Sequence, residues 1–289
     1  PAMDRKNVTV EKSGQEEYYF CIDDFPVLPA TPETGRDTLP SLVTVFWDAS
    51  TSRSSVDHQK EFDLLKHYFS RFKDTKVEVD LVVFRNTAEQ PRSFTVTGGR
   101  VDDLLKALGK IRYDGGTSLG SLSLKENKNR PDHCLLFTDG ISNFGPVEPE
   151  DLPAPLYIFS SVSGSNHPLL KYLAMKTGGA YFNLNRVELT AAADGIGRPA
   201  YSFISATFDD EEATDIYPSI PEKITGRFTA AGRLTADNAV ITLNYGLNGK
   251  IKDRVKFTVS RDEAANGTLL RRFWAQKKVD ELQVFVDKN

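Results

Sequence analysis

The chain has 289 residues, 39% of them hydrophobic and 26% charged, which at roughly 150 residues per domain means one large or two ordinary domains with buried cores. Lys and Arg number 36 against 40 Asp and Glu, a formal net charge of −4, so no basic excess is present to neutralise phosphates and a nucleic-acid partner is disfavoured. The longest apolar runs, such as Ser41 to Trp47 and Cys134 to Phe137, fall well short of the ~20 residues that cross a bilayer, so no membrane insertion is expected of this segment.

Two cysteines, Cys21 and Cys134, are too few for a disulfide framework and are not at zinc-ligand spacing, which leaves buried free thiols as the expectation. Pro1-Ala2-Met3 reads as a cloning scar, and the chain is expected to be a piece of a longer protein. Asn7 to Ile22 alternates like strands, notably at Val8, Val10 and Tyr18 to Ile22. From Ser41 to about Asn185, short β-rich runs alternate with helical patterns, which argues for an α/β fold, a doubly wound, mostly parallel sheet with helices on both faces. Ser41 to Trp47 is an unbroken apolar and β-branched run that ends at Asp48, as expected of a central strand buried on both sides. Phe62, Leu65, Phe69 and Phe72 then mark an amphipathic helix. Val77 to Phe84 predicts a strand, with Arg92 to Thr97 folding back on it as a hairpin. Val101, Leu104, Leu105 and Leu108 predict a helix whose first turn carries Asp102 and Asp103, where the helix dipole favours negative charge.

After the loop Tyr113 to Gly120, His133 to Thr138 predicts a second buried strand ending at Asp139, and Leu156 to Val162 a third. A helix over His167 to Lys176 closes at Gly178-Gly179, a strand follows over Ala180 to Leu184, and Val187 to Ile196 predicts a last helix. Near Pro199 the pattern changes. Tyr201 to Phe208, Ile216 to Pro221, Lys223 to Phe228, Ala239 to Tyr245 and Lys250 to Val259 read as strands divided by Gly, Pro and Asn turns, as in an antiparallel β-sandwich. Leu269 to Leu282 predicts a helix leaving that domain. The expected domains are residues 1–38 as N-terminal strands of a flanking β domain, 39–198 as the α/β domain, 199–268 as the β-sandwich and 269–289 as a C-terminal helix.

The strongest chemical signal is Asp48-Ala-Ser-Thr-Ser52 directly after a buried strand, because ligands of doubly wound sheets bind outside the strands' carboxyl ends. Asp48, Ser50 and Ser52 offer hard oxygen donors suited to Mg²⁺, Mn²⁺ or Ca²⁺, and without nearby His or Cys they do not suit zinc or copper. Thr117 follows two glycines that permit a tight turn, and Asp139 ends the next strong strand. Three loops thus bring Asp48, Ser50, Ser52, Thr117 and Asp139 toward one point.

This pattern resembles the metal-ion-dependent adhesion site of the von Willebrand factor A domain family. The resemblance covers Ser41 to about Ile196. It implies a Rossmann-like domain in which these five positions bind Mg²⁺, with Mn²⁺ or Ca²⁺ possible, some directly and some through water. It also implies an open coordination position filled by an acidic side chain of a protein partner, and a last helix whose displacement couples to affinity. Thr51 departs from the Gly that many members carry there. Tyr18-Tyr-Phe20 and a Pro-rich approach before the domain, with Ile220 to Ile224, Gly226 to Phe228 and Leu269 to Ala275 after it, resemble the inter-alpha-trypsin inhibitor heavy-chain family and its bacterial relatives, in which VIT and A domains occur together. What the two resemblances imply is a non-enzymatic adhesion module, exported, periplasmic or at the cell surface.

Two rivals are weighed against it. A metal-independent A-domain scaffold for assembly needs none of the five donors. A serine hydrolase could use Ser118, since Gly116 to Gly120 matches the G-x-S-x-G pattern with Asp139 and His167 downstream, but no buried strand immediately precedes that serine. The acidic run Asp209 to Glu212 lacks the spaced pattern of a calcium loop and reads as a solvated loop.

Overall fold

The computed structural model describes residues 7–28, 39–124, 130–150, 152, 154–198 and 200–282. Pro1 to Met3, residues 29–38 of the Pro-rich approach, Pro199 and residues 283–289 of the C-terminal segment lie outside them. The described residues divide into two compact units, one of 7–28 with 200–282 and the other of 39–198. The chain opens in the first unit with the antiparallel hairpin β1 (Asn7–Ser13) and β2 (Glu17–Asp24).

The second unit runs β3 (Leu42–Asp48), α1 (Gln59–Ser70), β4 (Lys76–Phe84), β5 (Arg92–Thr97), α2 (Asp102–Leu108), β6 (His133–Phe137), β7 (Leu156–Ser160), α3 (His167–Lys176), β8 (Tyr181–Asn183) and α4 (Leu189–Gly195). Its strands lie in the order β5-β4-β3-β6-β7-β8 and every neighbouring pair is parallel except the β4/β5 hairpin. Because β3, β4, β6 and β7 are covered on both faces, their side chains alternate between two apolar cores. Val43, Val45, Trp47, Leu135, Phe137, Tyr157 and Phe159 join Leu64, Leu65, Phe69, Leu104 and Ala192 from α1, α2 and α4. Phe46, Leu136, Leu156 and Ile158 join Leu169, Leu170 and Leu173 of α3. Cys134 is fully buried in this second core, and its thiol is pushed up by that burial alone, so it is an inert packing group.

The first unit resumes with β9 (Ser202–Thr207), β10 (Ala213–Tyr217), β11 (Glu222–Lys223), β12 (Phe228–Leu234), β13 (Asn238–Leu247), β14 (Lys250–Ser260), β15 (Ala264–Asn266) and α5 (Leu269–Leu282). One sheet is ordered β10-β12-β2-β1-β15 and the other β11-β9-β13-β14. A single core cluster takes Val10, Phe20, Ile22, Phe228 and Ala230 from the first and Phe203, Ile241, Leu243, Tyr245 and Phe257 from the second. The pairing is antiparallel except between β1 and β15, which run parallel, unlike the all-antiparallel expectation. Lys223 to Phe228 is not one strand; its two ends belong to β11 and β12. Likewise, the expected strand over Ile216 to Pro221 gives way to β10, which ends at Tyr217.

β12 itself went unexpected because Ala230-Ala231-Gly232 is weak strand text. The small residues are needed there: Gly232 pairs with Phe20 across the sheet, and a Cβ on it would lie 2.5 Å from the Phe20 ring. The helix α5 does not leave the unit. Trp274 lies 5.3 Å from the Tyr19 ring and donates its Nε1–H to the Asp215 carbonyl, and Glu281 accepts from the Ser219 amide and hydroxyl. Of the residues behind the heavy-chain resemblance, Phe20 is buried and Trp274 packed, so both have a structural role. No helix among the described residues is long and apolar enough to cross a membrane.

Two predictions follow from this packing. Gly232→Val, which drives a branched side chain into Phe20 and Ile216, lowers stability by about 1–3 kcal/mol in urea unfolding. His133, buried on β6 against Tyr68, is lowered from 6.5 to about 4, first by burial and then by Arg71, against the pull of Asp132. A histidine held neutral in the folded state must charge on unfolding, so its stabilisation is complete above pH 6.5 and is lost as pH falls toward 4. Between pH 7 and pH 5 the loss amounts to about 2 kcal/mol, which His133→Gln removes from the difference between the two unfolding curves.

Candidate metal centre

Within the second unit the chain starts at β3, proceeds outward to β5, then returns to the other side of β3 with β6. The loops leaving β3 and β6 therefore diverge, and the crevice between their carboxyl ends is the ligand position of doubly wound sheets. Asp48 ends β3, and Thr138 and Asp139 follow β6. Asp48, Ser50, Thr117 and Asp139 are each at most 1% exposed, whereas Ser52 is exposed.

The Asp48 carboxylate accepts from the Ser50 amide (3.0 Å) and from the Thr138 hydroxyl (2.6 Å). The Ser50 and Ser52 hydroxyls lie 3.1 Å apart, and Ser52 donates to Asp139 Oδ2 at 2.6 Å. Asp139 Oδ1 takes the Ile141 amide at 3.0 Å. Asp48, Ser50, Ser52 and Asp139 thus form one hydrogen-bonded chain across the switch point. Among the described residues, the Thr117 hydroxyl makes no hydrogen bond to these four. Its loop is tied to theirs through the backbone, the Thr51 amide donating to the Gly115 carbonyl and the Asp114 amide to the Ala49 carbonyl, both at 3.0 Å. Gly115 holds φ +68°, which glycine adopts without strain. Thr51 needs no glycine: it opens a 3₁₀ turn, and the positive-φ residues other than glycine among those described are Asp215 and Asn248.

The fifth-residue neighbour of Asp48, Arg53, was not anticipated. It is fully buried and donates from Nη1 to the carbonyls of Asp48 (3.2 Å) and Phe137 (2.5 Å), so one guanidinium joins the ends of β3 and β6. Its Nη2 pairs with Glu61 Oε2 at 2.5 Å, and its plane lies 5.2 Å over the Trp47 ring. Glu61 also accepts from His58 Nδ1 (2.8 Å) and the Ser161 hydroxyl (2.9 Å), and the His58 ring stacks on Tyr113 at 4.8 Å. Burial pushes the Glu61 carboxyl up, but the Arg53 charge and the bonds from His58 and Ser161 outweigh it and hold it below its ordinary value. For Asp48 the balance is reversed: burial raises it more than Arg53, Thr138 and Ser50 lower it. The signal for Glu61 was present in α1, where an acid in register with Leu64, Leu65 and Tyr68 on the buried face requires a partner. Nothing comparable flags Thr138 or Asn143, whose side chain accepts from the Thr117 amide at 2.9 Å.

An all-oxygen set of two carboxylates and three hydroxyls fits a hard divalent cation. Among the described residues no group of three or more His, Cys, Asp and Glu could hold a metal ion, so a site here depends on the serine and threonine hydroxyls as well as the two carboxylates. The hydrolase arrangement is not assembled: His167 Nδ1 bonds the Tyr181 hydroxyl at 2.6 Å, and Asp139 is taken by Ser52 and Ile141.

No protein-family model matches the sequence, and no curated protein matches it. Among solved structures the chain is similar to the ArnB paralog VWA2 from Sulfolobus acidocaldarius, at 13% identity and TM-score 0.43 over 96% of this chain and 82% of that one. It is also similar to a von Willebrand factor type A structure from Catenulispora acidiphila, at 10% identity and TM-score 0.45 over 93% and 77%. An aerotolerance-related membrane protein from Bacteroides fragilis is similar over 55% of this chain and 97% of that one, at 16% identity and TM-score 0.39.

Glu61→Gln keeps the shape but strips Arg53 of its charge partner in a site without solvent, so it is expected to destabilise the chain by about 3–5 kcal/mol in denaturant unfolding.

Proposed function

We propose that the α/β unit is a von Willebrand factor A-type binding module that holds an acidic side chain of a protein partner through a divalent cation, and that it works by binding and not by catalysis. The observation that carries this reading is the placement of Asp48 and Asp139 at the ends of adjoining parallel strands, linked by Ser50 and Ser52. When bound, Mg²⁺, or Mn²⁺ or Ca²⁺ in its place, supplies the positive charge that attracts a partner carboxylate. Asp48 and Ser50 would hold it from the β3 loop, Asp139 from the β6 loop, and exposed Ser52 from the rim. Thr117 would join on ligand binding by rotation of a hydroxyl that the other four donors leave unengaged. Three hydroxyls add no negative charge, so two carboxylates only balance a divalent ion and a further anionic oxygen remains favourable. We further propose that residues 39–198 are inserted in a β-sandwich companion formed by both flanks, in a chain related to the VIT and A-domain proteins and exported or displayed at a surface.

Calorimetric titration of chelator-stripped protein with Mg²⁺, Mn²⁺ and Ca²⁺ is expected to give saturable binding that Asp48→Ala abolishes while its thermal unfolding stays cooperative. Equal binding by the variant sinks the site. No binding by either protein favours the metal-independent scaffold, whose polar groups the bonds among Ser50, Ser52 and Asp139 already satisfy.

A further inference from the structure

The segment Ile141 to Phe144 follows Asp139 and exposes two large apolar side chains, Ile141 at 43% and Phe144 at 51%. Three of its backbone amides are hydrogen-bonded. The Ile141 amide donates to Asp139 Oδ1, and the Asn143 and Phe144 amides both donate to the Thr117 carbonyl, at 3.0 and 3.1 Å. Ser142 donates its hydroxyl to the same carbonyl and accepts from the Leu119 amide, while Asn143 Oδ1 takes the Thr117 amide. The segment is thus pinned to two of the five candidate donors, and its apolar side chains are held outward.

Gly116 makes room for the Phe144 ring. A Cβ on Gly116 would lie 2.4 Å from that ring, so the ring packs against bare backbone immediately before Thr117. A half-exposed Phe on such a fixed support loses little side-chain freedom when covered, which is the character of an interface anchor. Aromatic and other apolar side chains are enriched at the cores of protein interfaces.

We propose that Ile141 and Phe144 form an apolar subsite beside the candidate metal centre, and that its occupant is a peptide segment of a protein partner in which an acidic residue has a large apolar residue one or two positions away. The acidic side chain goes to the cation and its neighbour covers the Phe144 ring. The inference rests on the cation-dependent reading above and adds a sequence requirement on the partner.

The test is to pan a displayed library of random 12-residue peptides against the full chain in Mg²⁺ and to elute with EDTA. Mg²⁺ binding by the wild type and by the double variant Ile141→Ser, Phe144→Ser is measured calorimetrically in parallel. The expected peptides carry Asp or Glu with Phe, Leu, Ile, Met or Trp one or two positions away. The double variant is expected to bind Mg²⁺ as the wild type does and the selected peptides about tenfold more weakly or worse. Acidic peptides with no apolar neighbour, no enrichment at all, or equal peptide binding by the variant overturns the subsite and leaves the metal reading standing. Self-association of the wild type that the double variant abolishes also overturns it, in favour of a contact between copies. Failure of the wild type to bind Mg²⁺ overturns the metal reading itself and this inference with it.

Discussion

Two carboxylates, Asp48 and Asp139, are withdrawn from water at adjoining strand ends, and the α/β unit is organised around making that tolerable. Unpaired charge in such a setting costs several kcal/mol, so each oxygen needs a donor. The strand ends supply some: the Ser50 and Ile141 amides and the Thr138 hydroxyl. The Ser52 hydroxyl supplies the donor to the remaining oxygen, Asp139 Oδ2, while Arg53 holds the carbonyls of Asp48 and Phe137 and its charge offsets part of the cost of burying Asp48. Glu61 and His58 then hold Arg53, which brings α1 and the aromatic group Trp47, Phe62 and Tyr113 into the same arrangement. The region contains three carboxyl groups, Asp48, Asp139 and Glu61, and a single guanidinium. In the proposed reading, a bound cation would offset the negative charge that makes such a site difficult to bury.

The parts of this arrangement that were legible in the sequence are those set by periodicity along the chain. A strand apolar on both faces reads as a continuous run, so β3, β6 and β7 stand out, and a carboxylate ending such a run has a defined place in the fold. Asp48 and Asp139 were found in this way. Arg53 and Thr138 were not, because their roles depend on which strand lies beside which, and sequence spacing carries no trace of the β3/β6 pairing. Glu61 lies between these cases: its register on α1 marks it as buried but does not name Arg53. In the β unit β12 was missed for a related reason. Its small residues are shaped by Phe20 on the facing strand, so local strand preference is set aside to fit a partner far away in sequence.

The β unit shows how strongly distant parts of the chain are tied together. Asp23 on β2 makes a bidentate pair with Arg227, Asp24 accepts from the buried Tyr245 hydroxyl, and Glu11 on β1 accepts the Leu270 amide in the first turn of α5. The last of these places a carboxylate where the helix dipole favours it. Each bond joins a residue of the opening hairpin to one from the final third of the sequence, so neither end of the chain has a complete core without the other.

That arrangement fixes an order of assembly. Chains emerge from synthesis amino end first, and the hairpin β1–β2 is complete long before β12, whose neighbour Arg227 is 204 positions beyond its partner Asp23. Every strand and helix of the α/β unit lies within that interval. The whole α/β unit is therefore synthesised while the hairpin still presents both of its edges unpaired, and for that period the exposed edges are open to wrong pairing. The charges along them, Glu11, Lys12, Glu17 and Asp23, serve a second purpose during this wait, since charged side chains discourage other strands from adding to an open edge.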